Sequence, residues 1–342
     1  MKVLVTGPFS FRKFKVTSGD IMAKDTICEW LKQANINYDV ALTNPFIGGV
    51  NWLSVNPESY SHVILVCGPL TDNIITVMFL KRFSHCRLIG INLSMLQPTN
   101  IWNPFDVLIE RDSIRHSRPD ISLLAHQKKI PVVGIILVHP QPEYGNRSKH
   151  RLVKKAINHF IASREMIAVN IDTGLDPNTA GLRNAAEIES LIAHMDFVIT
   201  TRLHGLVLAL KNGIPAIVID AISGGAKVLT QAKTIGWPIA ISVDNLTEGF
   251  LQKSFEYCQT EEAKTKVREC VKRAMELTRQ TKEEFIVLLN SSKPTESRIW
   301  PGKMLKKYKI LNTDLKPLIK FFVSLFLIKE FLRDLLHKYL KL

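Results

Sequence analysis

The chain has 342 residues, of which 46% are hydrophobic and 22% charged, and its mean hydropathy is +0.06. This composition excludes a disordered chain, and the length favours two domains because single cores rarely exceed about 250–300 residues. The net charge is +14, but residues 291–342 hold twelve Lys or Arg against four Asp or Glu, so the basic excess belongs mostly to the C-terminal segment.

Short apolar runs alternate with helical periodicity, which predicts βα units and parallel sheets. The first helix is predicted to begin near Asp20, because Thr17 and Asp20 have capping-box spacing. Residues 43–60 contain Asn, Pro and Gly and are predicted to form a loop. Five strands are predicted in this half: Lys2–Thr6, Tyr38–Leu42, His62–Cys67, Arg87–Ile91 and Asp106–Ile109.

The second half repeats the pattern, which predicts two consecutive Rossmann-like halves with a hinge near 115–130. Its predicted strands are Pro131–Val138, Met166–Ile171, Phe197–Thr200 and Pro215–Asp220. Its predicted helices are Arg151–Ser163, a helix capped by Asn184, Leu203–Asn212 and a long charged helix over Glu261–Leu289. The predicted domains are 1–125, 130–290 and a basic linker with an amphipathic helix over 291–342.

Cysteine usage and the chain start indicate the compartment. Five scattered cysteines contain no CxxC pair, which argues against a disulfide framework or a zinc cluster. Residues 1–7 lack the apolar run of a signal peptide, and no stretch approaches the ~18–20 apolar residues of a membrane span. A cytoplasmic protein is therefore expected.

The turn after the predicted strand Phe197–Thr200 is the strongest candidate site. Ligands of open α/β sheets bind beyond the carboxyl ends of the strands. There Arg202 offers a planar cationic fork for phosphate or carboxylate, and His204 can exchange protons near neutral pH. The alternative, that both residues only cap the turn, stays open at this point.

A second candidate loop follows the next strand. Ser223, Gly224 and Gly225 allow close approach of the backbone to an anion, and Lys227 adds charge at a helix start. Arg183 precedes a predicted helix and could point into the same crevice, although a surface ion pair is the favoured explanation. An ordinary turn is the alternative for the glycine loop.

Several common motifs are absent. The sequence contains no GxGxxG, GxxxxGK[ST], GxSxG or HExxH pattern, and its ten histidines show no metal-ligand spacing. Neither a dinucleotide site nor a metal site is therefore expected.

The segment Thr200-Thr-Arg-Leu-His-Gly205 resembles the signature of polysaccharide pyruvyl transferases. The resemblance is dense over about 130–240 and thinner over 1–125, where Gly19-Asp20 is present without the Asn and Glu that often flank it in the family. Further segments that fit are Val138-His-Pro140, Ile171-Asp-Thr173, Gly181-Leu-Arg183, Gly213-Ile-Pro215, Ile219-Asp220, Ser223–Lys227 and Ile235-Gly-Trp-Pro238.

The resemblance implies a GT-B-like fold of two facing Rossmann-type domains with parallel sheets. It also implies transfer of a pyruvyl group from phosphoenolpyruvate to a sugar of a cell-surface polysaccharide or its precursor, as a cyclic ketal and with no cofactor. The acceptor would be a saccharide, free or lipid-linked, and no nucleic acid is expected. Arg202 would hold the donor and His204 would act as general acid or base. Weaker implied donor residues are Gly205, Arg183, Ser223, Gly224, Gly225 and Lys227, and the acceptor-side residues are Gly7, Gly19 and Asp20.

Two other functions stay open. A GT-B glycosyltransferase with a nucleotide-sugar donor would share the architecture and the anion site. A non-catalytic carbohydrate- or anion-binding protein would account for the altered segment over 17–21. Binding of phosphoenolpyruvate against nucleotide sugars would separate these alternatives.

Residues 315–342 mix large apolar side chains with Lys and Arg, which predicts an amphipathic basic helix. Two locations are open for it: packed on the protein body, or in the headgroup plane of an anionic membrane at the cytoplasmic face.

Overall fold

The computed structural model describes residues 1–12, 14–70, 72–139 and 141–290. The chain divides into two compact units, with the boundary between Ile130 and Pro131. The helix predicted over 315–342 lies outside the described residues. No helix of the described ranges is long and apolar enough to cross a membrane.

The first unit is built on a parallel five-stranded sheet with strand order β2-β1-β3-β5-β7. Two short strands, β4 and β6, pair separately. In chain order its elements are β1 (Lys2–Thr6), α1 (Ser18–Gln33), β2 (Asn37–Val40), β3 (His62–Val66), β4 (Pro69–Leu70), α2 (Ile74–Arg82), β5 (Arg87–Ile91), β6 (Ser94–Met95) and β7 (Val107–Ile109).

Helix α1 begins with the predicted capping box. Thr17 Oγ1 accepts a hydrogen bond from the Asp20 backbone N–H at 3.3 Å, and the Asp20 carboxylate accepts one from the Thr17 N–H at 2.8 Å. The helix then packs Ala23, Ile27 and Leu31 onto one face of the sheet. The helical start that the sequence predicts near Asp20 is confirmed.

The second unit is also built on a parallel five-stranded sheet, with strand order β12-β11-β10-β8-β9. In chain order its elements are β8 (Val132–Ile136), α3 (His150–Ala162), β9 (Ile167–Asn170), α4 (Ala185–Ala193), β10 (Phe197–Thr200), α5 (Leu203–Lys211), β11 (Ala216–Asp220), α6 (Lys227–Ile235), β12 (Ala240–Ser242), α7 (Glu248–Cys258) and α8 (Glu261–Asn290).

The two sheets share one strand order. In each, the second strand lies outside the first, and the third, fourth and fifth strands follow on the other side. This is the 2-1-3-4-5 order of one class of doubly wound α/β folds. The predicted fold class, parallel-sheet α/β in two Rossmann-type halves, is therefore confirmed.

The helices of the second unit cover both faces of its sheet. Helix α3 packs Val153, Ile157 and Phe160 on one face, whereas α5 packs Leu206 and Leu210 on the other. Each helix follows a parallel strand, so both begin at the edge formed by the carboxyl ends of the strands.

Five elements were not predicted: helices α2 and α7, the two-residue strands β4 and β6, and the edge strand β12. Helix α2 begins at an Asn cap, because Asn73 Oδ1 accepts hydrogen bonds from the Ile75 and Thr76 N–H groups. Several predicted strands extend one or two residues beyond their ladders, since pairing stops where the chain turns. Trp237 is buried in the second unit, and its Nε1 donates to the Ala216 carbonyl at 2.7 Å.

Candidate functional site

The second sheet reverses its strand order between β8 and β10, which is where open α/β sheets bind ligands. A cavity of about 780 Å³ opens at this point, between α3 and the carboxyl ends of β8, β9 and β10. Its polar lining includes His139, His150, Arg151, Lys154, Asn158, Asn170, Asp172, Thr179 and Thr201. We call it the α3 cavity.

Asp172 organises one wall of the α3 cavity. Its side chain is only 5% exposed, and its Oδ2 accepts hydrogen bonds from the Thr179 N–H and Oγ1 and lies 3.4 Å from His139 Nε2. Burial alone would raise the pKa of this carboxyl, but hydrogen bonds from Gly174, Thr179 and His139 outweigh it and hold the pKa well below its ordinary value. Asp172 is therefore a fixed anion.

Arg202, predicted as the donor-binding residue, is paired with that anion. Its Nη1 donates to Asp172 Oδ1 and to Thr173 Oγ1, each at 2.9 Å, and its side chain is 16% exposed. Its Nε and Nη2 make no hydrogen bond within the described ranges. Asp172 and Thr173 thus orient the guanidinium while two of its nitrogens stay available to a ligand.

His204 lies in the first turn of α5 with an exposed side chain, two residues beyond Arg202. Its ring makes no hydrogen bond or ion pair to any residue that the structure describes. Neither His204 nor Arg202 lines the α3 cavity, but Thr201, directly before Arg202, does. Arg202 is therefore joined to the cavity through Asp172, whereas His204 is next to it in sequence only.

Gly205, also predicted on the donor side, is buried in the first turn of α5. A Cβ atom at this position would collide with Thr200 Oγ1 and lie 2.9 Å from Ile136 Cγ2. The glycine therefore allows α5 to approach the ends of β8 and β10 closely, which is a packing role.

Two donors of the Ser223–Lys227 loop, on Ser223 and Gly224, are bound within the chain. Ser223 Oγ and the Gly224 N–H donate to the Asp244 carboxylate at 2.7 and 2.6 Å. Gly224 and Gly225 have φ angles of 78° and 76°, which favour glycine. The Gly224 hydrogen bond lowers the pKa of Asp244, and the binding of an external anion by this loop stays a prediction.

The remaining predicted donor cations are at the surface. Arg183 is 84% exposed and its Nη2 lies 2.6 Å from Glu187 Oε1 in an i,i+4 ion pair. Lys227 is exposed at the first residue of α6. The start of that helix is already capped, since Asp220 Oδ2 accepts from the Ala226 and Leu229 N–H groups. Neither Arg183 nor Lys227 is among the described residues that line the α3 cavity.

The sequence reasoning missed the side chains that α3 contributes. Arg151 and Lys154 line the cavity and are exposed, and His150 lies between Ser148 and the cavity, with Nδ1 2.7 Å from Ser148 Oγ. His150 Nε2 is buried without a hydrogen-bond partner in the part of the chain that the structure describes. Burial lowers the pKa of this histidine. The i, i+3, i+7 spacing of Arg151, Lys154 and Asn158 was the available signal, because it places them on one side of the helix.

Residues 119–221 match the family model of the polysaccharide pyruvyl transferases. The matched segment contains the α3 cavity, Asp172 and the Arg202-Leu-His204 turn. The resemblance predicted from the sequence is confirmed over this segment. No curated protein sequence matches the chain.

Solved structures show only distant likeness. The UDP-GlcNAc 2-epimerase of Methanocaldococcus jannaschii, in complex with UDP-GlcNAc and UDP, is 12% identical with a TM-score of 0.29, covering 76% of this chain and 93% of that chain. The spinosyn rhamnosyltransferase SpnG, complexed with spinosyn aglycone, is 12% identical with a TM-score of 0.28, and the match covers 81% of this chain and 96% of that chain. A periplasmic sugar-binding protein of Legionella pneumophila is 11% identical with a TM-score of 0.24, and the match covers 70% of this chain and 87% of that chain.

The first unit has a cavity at the equivalent point, where β1 and β3 end. It measures about 400 Å³ and is lined by Gly7, Thr17 and Asp20 together with Phe11, Phe14, Lys15, Cys67 and Arg111. Two of the three acceptor-side residues implied by the family resemblance, Gly7 and Asp20, thus line a cavity. Gly19 is exposed in the first turn of α1 and does not line it.

No group of three or more His, Cys, Asp or Glu side chains that could hold a metal ion occurs within the described residues.

Proposed function

We propose that this protein transfers a pyruvyl group from phosphoenolpyruvate to two hydroxyls of a sugar, forming a cyclic ketal on a cell-envelope polysaccharide or its precursor. The family match over 119–221 supports a transferase of this kind. The observation that carries the proposal is the state of Arg202 at the carboxyl edge of the sheet. The buried Asp172 orients its guanidinium, and the Nε and Nη2 of Arg202 make no hydrogen bond within the described residues.

The chemistry suits these residues. A proton adds to the methylene carbon of phosphoenolpyruvate while a sugar oxygen bonds to C2 and loses its own proton. The C2–O bond to phosphate then breaks, the electron pair leaving with phosphate, and the second sugar oxygen bonds to C2 and releases its proton. Arg202 would bind the donor carboxylate through two parallel hydrogen bonds, and His204 would transfer the protons.

The acceptor is a saccharide, free or lipid-linked, and we place it in the first-unit cavity. Phe11 and Phe14 offer apolar surface there, and Asp20 offers a hydrogen-bond acceptor for sugar hydroxyls. The reaction as proposed requires no metal ion or organic cofactor, and we place it in the cytoplasm.

The first experiment measures phosphate release from phosphoenolpyruvate with fractionated cell-envelope glycans as acceptors. In Arg202→Lys we expect weaker donor binding although the charge is kept, because an ammonium cannot form the two parallel hydrogen bonds of a guanidinium. In His204→Ala we expect a folded protein that binds donor but turns over about 10²–10⁴-fold more slowly.

Matched controls are Arg268→Lys and His194→Ala, which change exposed residues outside the α3 cavity. Donor affinity that is unchanged in Arg202→Lys would make Arg202 a turn residue, and near-normal turnover of His204→Ala would remove His204 from the mechanism.

Transfer from a nucleotide sugar is the second candidate, and the size of the α3 cavity favours it. About 780 Å³ exceeds what a three-carbon phosphate ester fills and lies in the ~300–1,000 Å³ range of small-molecule sites. Thermal-shift measurements with phosphoenolpyruvate against a nucleotide-sugar panel separate the two candidates.

A further inference from the structure

The α3 cavity is lined by an excess of basic side chains. Arg151 and Lys154 border it from α3, and His139 borders it from the chain after β8. The carboxylate among its described lining residues is Asp172, which is already paired with Arg202. The charge that this cavity offers a ligand is therefore positive.

An unpaired polar atom borders the same space. His150 lines the cavity, yet its Nε2 is buried with no partner among the described residues. Buried polar groups are nearly always hydrogen-bonded in folded proteins, so an orphaned one beside a cavity indicates a partner that binds there. The partner best suited to the surrounding cations is an anion.

We propose that Arg151 and Lys154, together with His139, bind the phosphate group of a phosphorylated substrate in the α3 cavity. A guanidinium and an ammonium on one side of a helix both bind phosphate, the first through its planar fork and the second as a point charge. The identification of that substrate as phosphoenolpyruvate rests on the proposed function.

This assignment separates two tasks. With the phosphate held by α3, the unused nitrogens of Arg202 are left for the donor carboxylate. Arg151 and Lys154, bound to that phosphate, would also stabilise the negative charge that develops on it when the C2–O bond breaks.

Calorimetric titration of the full-length chain with phosphoenolpyruvate, inorganic phosphate and UDP tests the assignment. The test variant is Arg151→Gln with Lys154→Gln. The matched control is Lys149→Gln with Lys155→Gln, which removes the same charge from two exposed positions, the N-cap and the sixth residue of the same helix, that do not line the cavity. We expect the test variant to bind phosphoenolpyruvate and phosphate at least tenfold more weakly, and the control to stay within twofold of the parent.

The outcomes distinguish this inference from the proposed function. Unchanged phosphoenolpyruvate affinity in the Arg151→Gln, Lys154→Gln chain overturns the inference, and Arg202→Lys still tests the function. Binding of UDP that depends on these cations, without binding of phosphoenolpyruvate, keeps the phosphate site and overturns the proposed function. An equal loss in the control overturns the inference, because it would show a general charge effect.

Nuclear magnetic resonance of the imidazoles gives a second measurement that does not depend on turnover. Addition of inorganic phosphate should shift the ring signals of His139 and His150, assigned through His139→Gln and His150→Gln, in the parent and not in the Arg151→Gln, Lys154→Gln chain. Ring signals that do not move in the parent would overturn the contact with phosphate.

Discussion

Asp172 controls more of the candidate site than any residue that the sequence singled out. Its two oxygens accept hydrogen bonds from Arg202, Thr179 and Gly174, and His139 lies 3.4 Å away. A carboxylate with these hydrogen bonds stays ionised, so it can accept hydrogen bonds from the Arg202 guanidinium and the His139 ring. The position of Arg202 is thus set by a residue 30 positions away in the chain.

Asp172→Asn tests this role. The folded-state pKa of Asp172 lies below the unfolded value of about 3.9, so its ionised form stabilises the fold above that value, and this stabilisation is lost as the pH falls through the folded pKa. At pH 7 we expect the free energy of unfolding to fall by about 1.5–3 kcal/mol, the range for hydrogen bonds to charged groups. Urea unfolding at pH 7 and pH 3 measures it, and the difference from the parent should shrink at pH 3.

Asp176→Asn is the control, because Asp176 is exposed in the same loop. Equal stability of the Asp172→Asn protein and the parent at pH 7 would show that the carboxylate charge is not required.

The sequence predicted the Arg202 turn because the strand, turn and helix are contiguous and each has a local signature. It could not predict the ion pair with Asp172, since that contact depends on β8 lying between β9 and β10. The spacing of Arg151 and Lys154 places them on one side of a helix, but the cavity that they line depends on the same strand order. The hydrogen bonds from the Ser223–Gly225 loop to Asp244 likewise join residues about 20 positions apart, which the sequence does not show to be neighbours.

At the scale of elements, Gly205 allows the first turn of α5 to lie close to the sheet. Gly205→Ala would place a methyl group against Thr200 Oγ1 and Ile136 Cγ2. Overpacking of this kind costs about 1–3 kcal/mol, so we expect a lower melting temperature. The collision also displaces the turn that carries Arg202, and donor binding should weaken with it.

Gly249 provides the matched comparison, because it too lies in the first turn of a helix but its nearest neighbour to a new Cβ is 4.0 Å away. Gly249→Ala should raise stability by roughly 0.5–1 kcal/mol through helix propensity. Melting curves of the two variants should therefore shift in opposite directions, and a shared direction would contradict the packing role of Gly205.

Elements with a cap and a regular apolar face were predictable, and those without one were not. The capping box of Thr17 with Asp20 and the apolar residues of α1 gave that helix correctly. Helix α2 exposes several large apolar residues, among them Ile74 and Met78, so its pattern lacks a clear solvent face. Strand β12 has only three residues, too few for a periodicity to emerge.

At the scale of the whole molecule, each hydrophobic cluster is drawn from residues of a single unit. The alternation of strands and helices predicted the two parallel sheets. It could not predict their order, because periodicity carries no information about which strands are neighbours. The common 2-1-3-4-5 order places one cavity in each unit at the same point of its sheet.

Membrane attachment through residues 315–342 stays a prediction from the sequence. Removal of residues 291–342 should abolish sedimentation with anionic vesicles while circular dichroism stays that of a folded protein, because Lys and Arg near an anionic surface each contribute about 1 kcal/mol to binding. Neutral vesicles are the control. A full-length chain that stays in the supernatant at low salt, or a shortened chain that unfolds, would place the segment on the protein body.

The buried indole of Trp237 has an optical consequence. Its Nε1 hydrogen bond to Ala216 and its 3% exposure keep the ring away from water, so its fluorescence should be emitted at short wavelength in the folded second unit. Loss of that sheet would expose the ring and shift the emission to the red. Because Trp30, Trp52 and Trp102 belong to the first unit, a chain in which they and Trp300 are replaced by Phe would make the emission spectrum a report on the second unit alone.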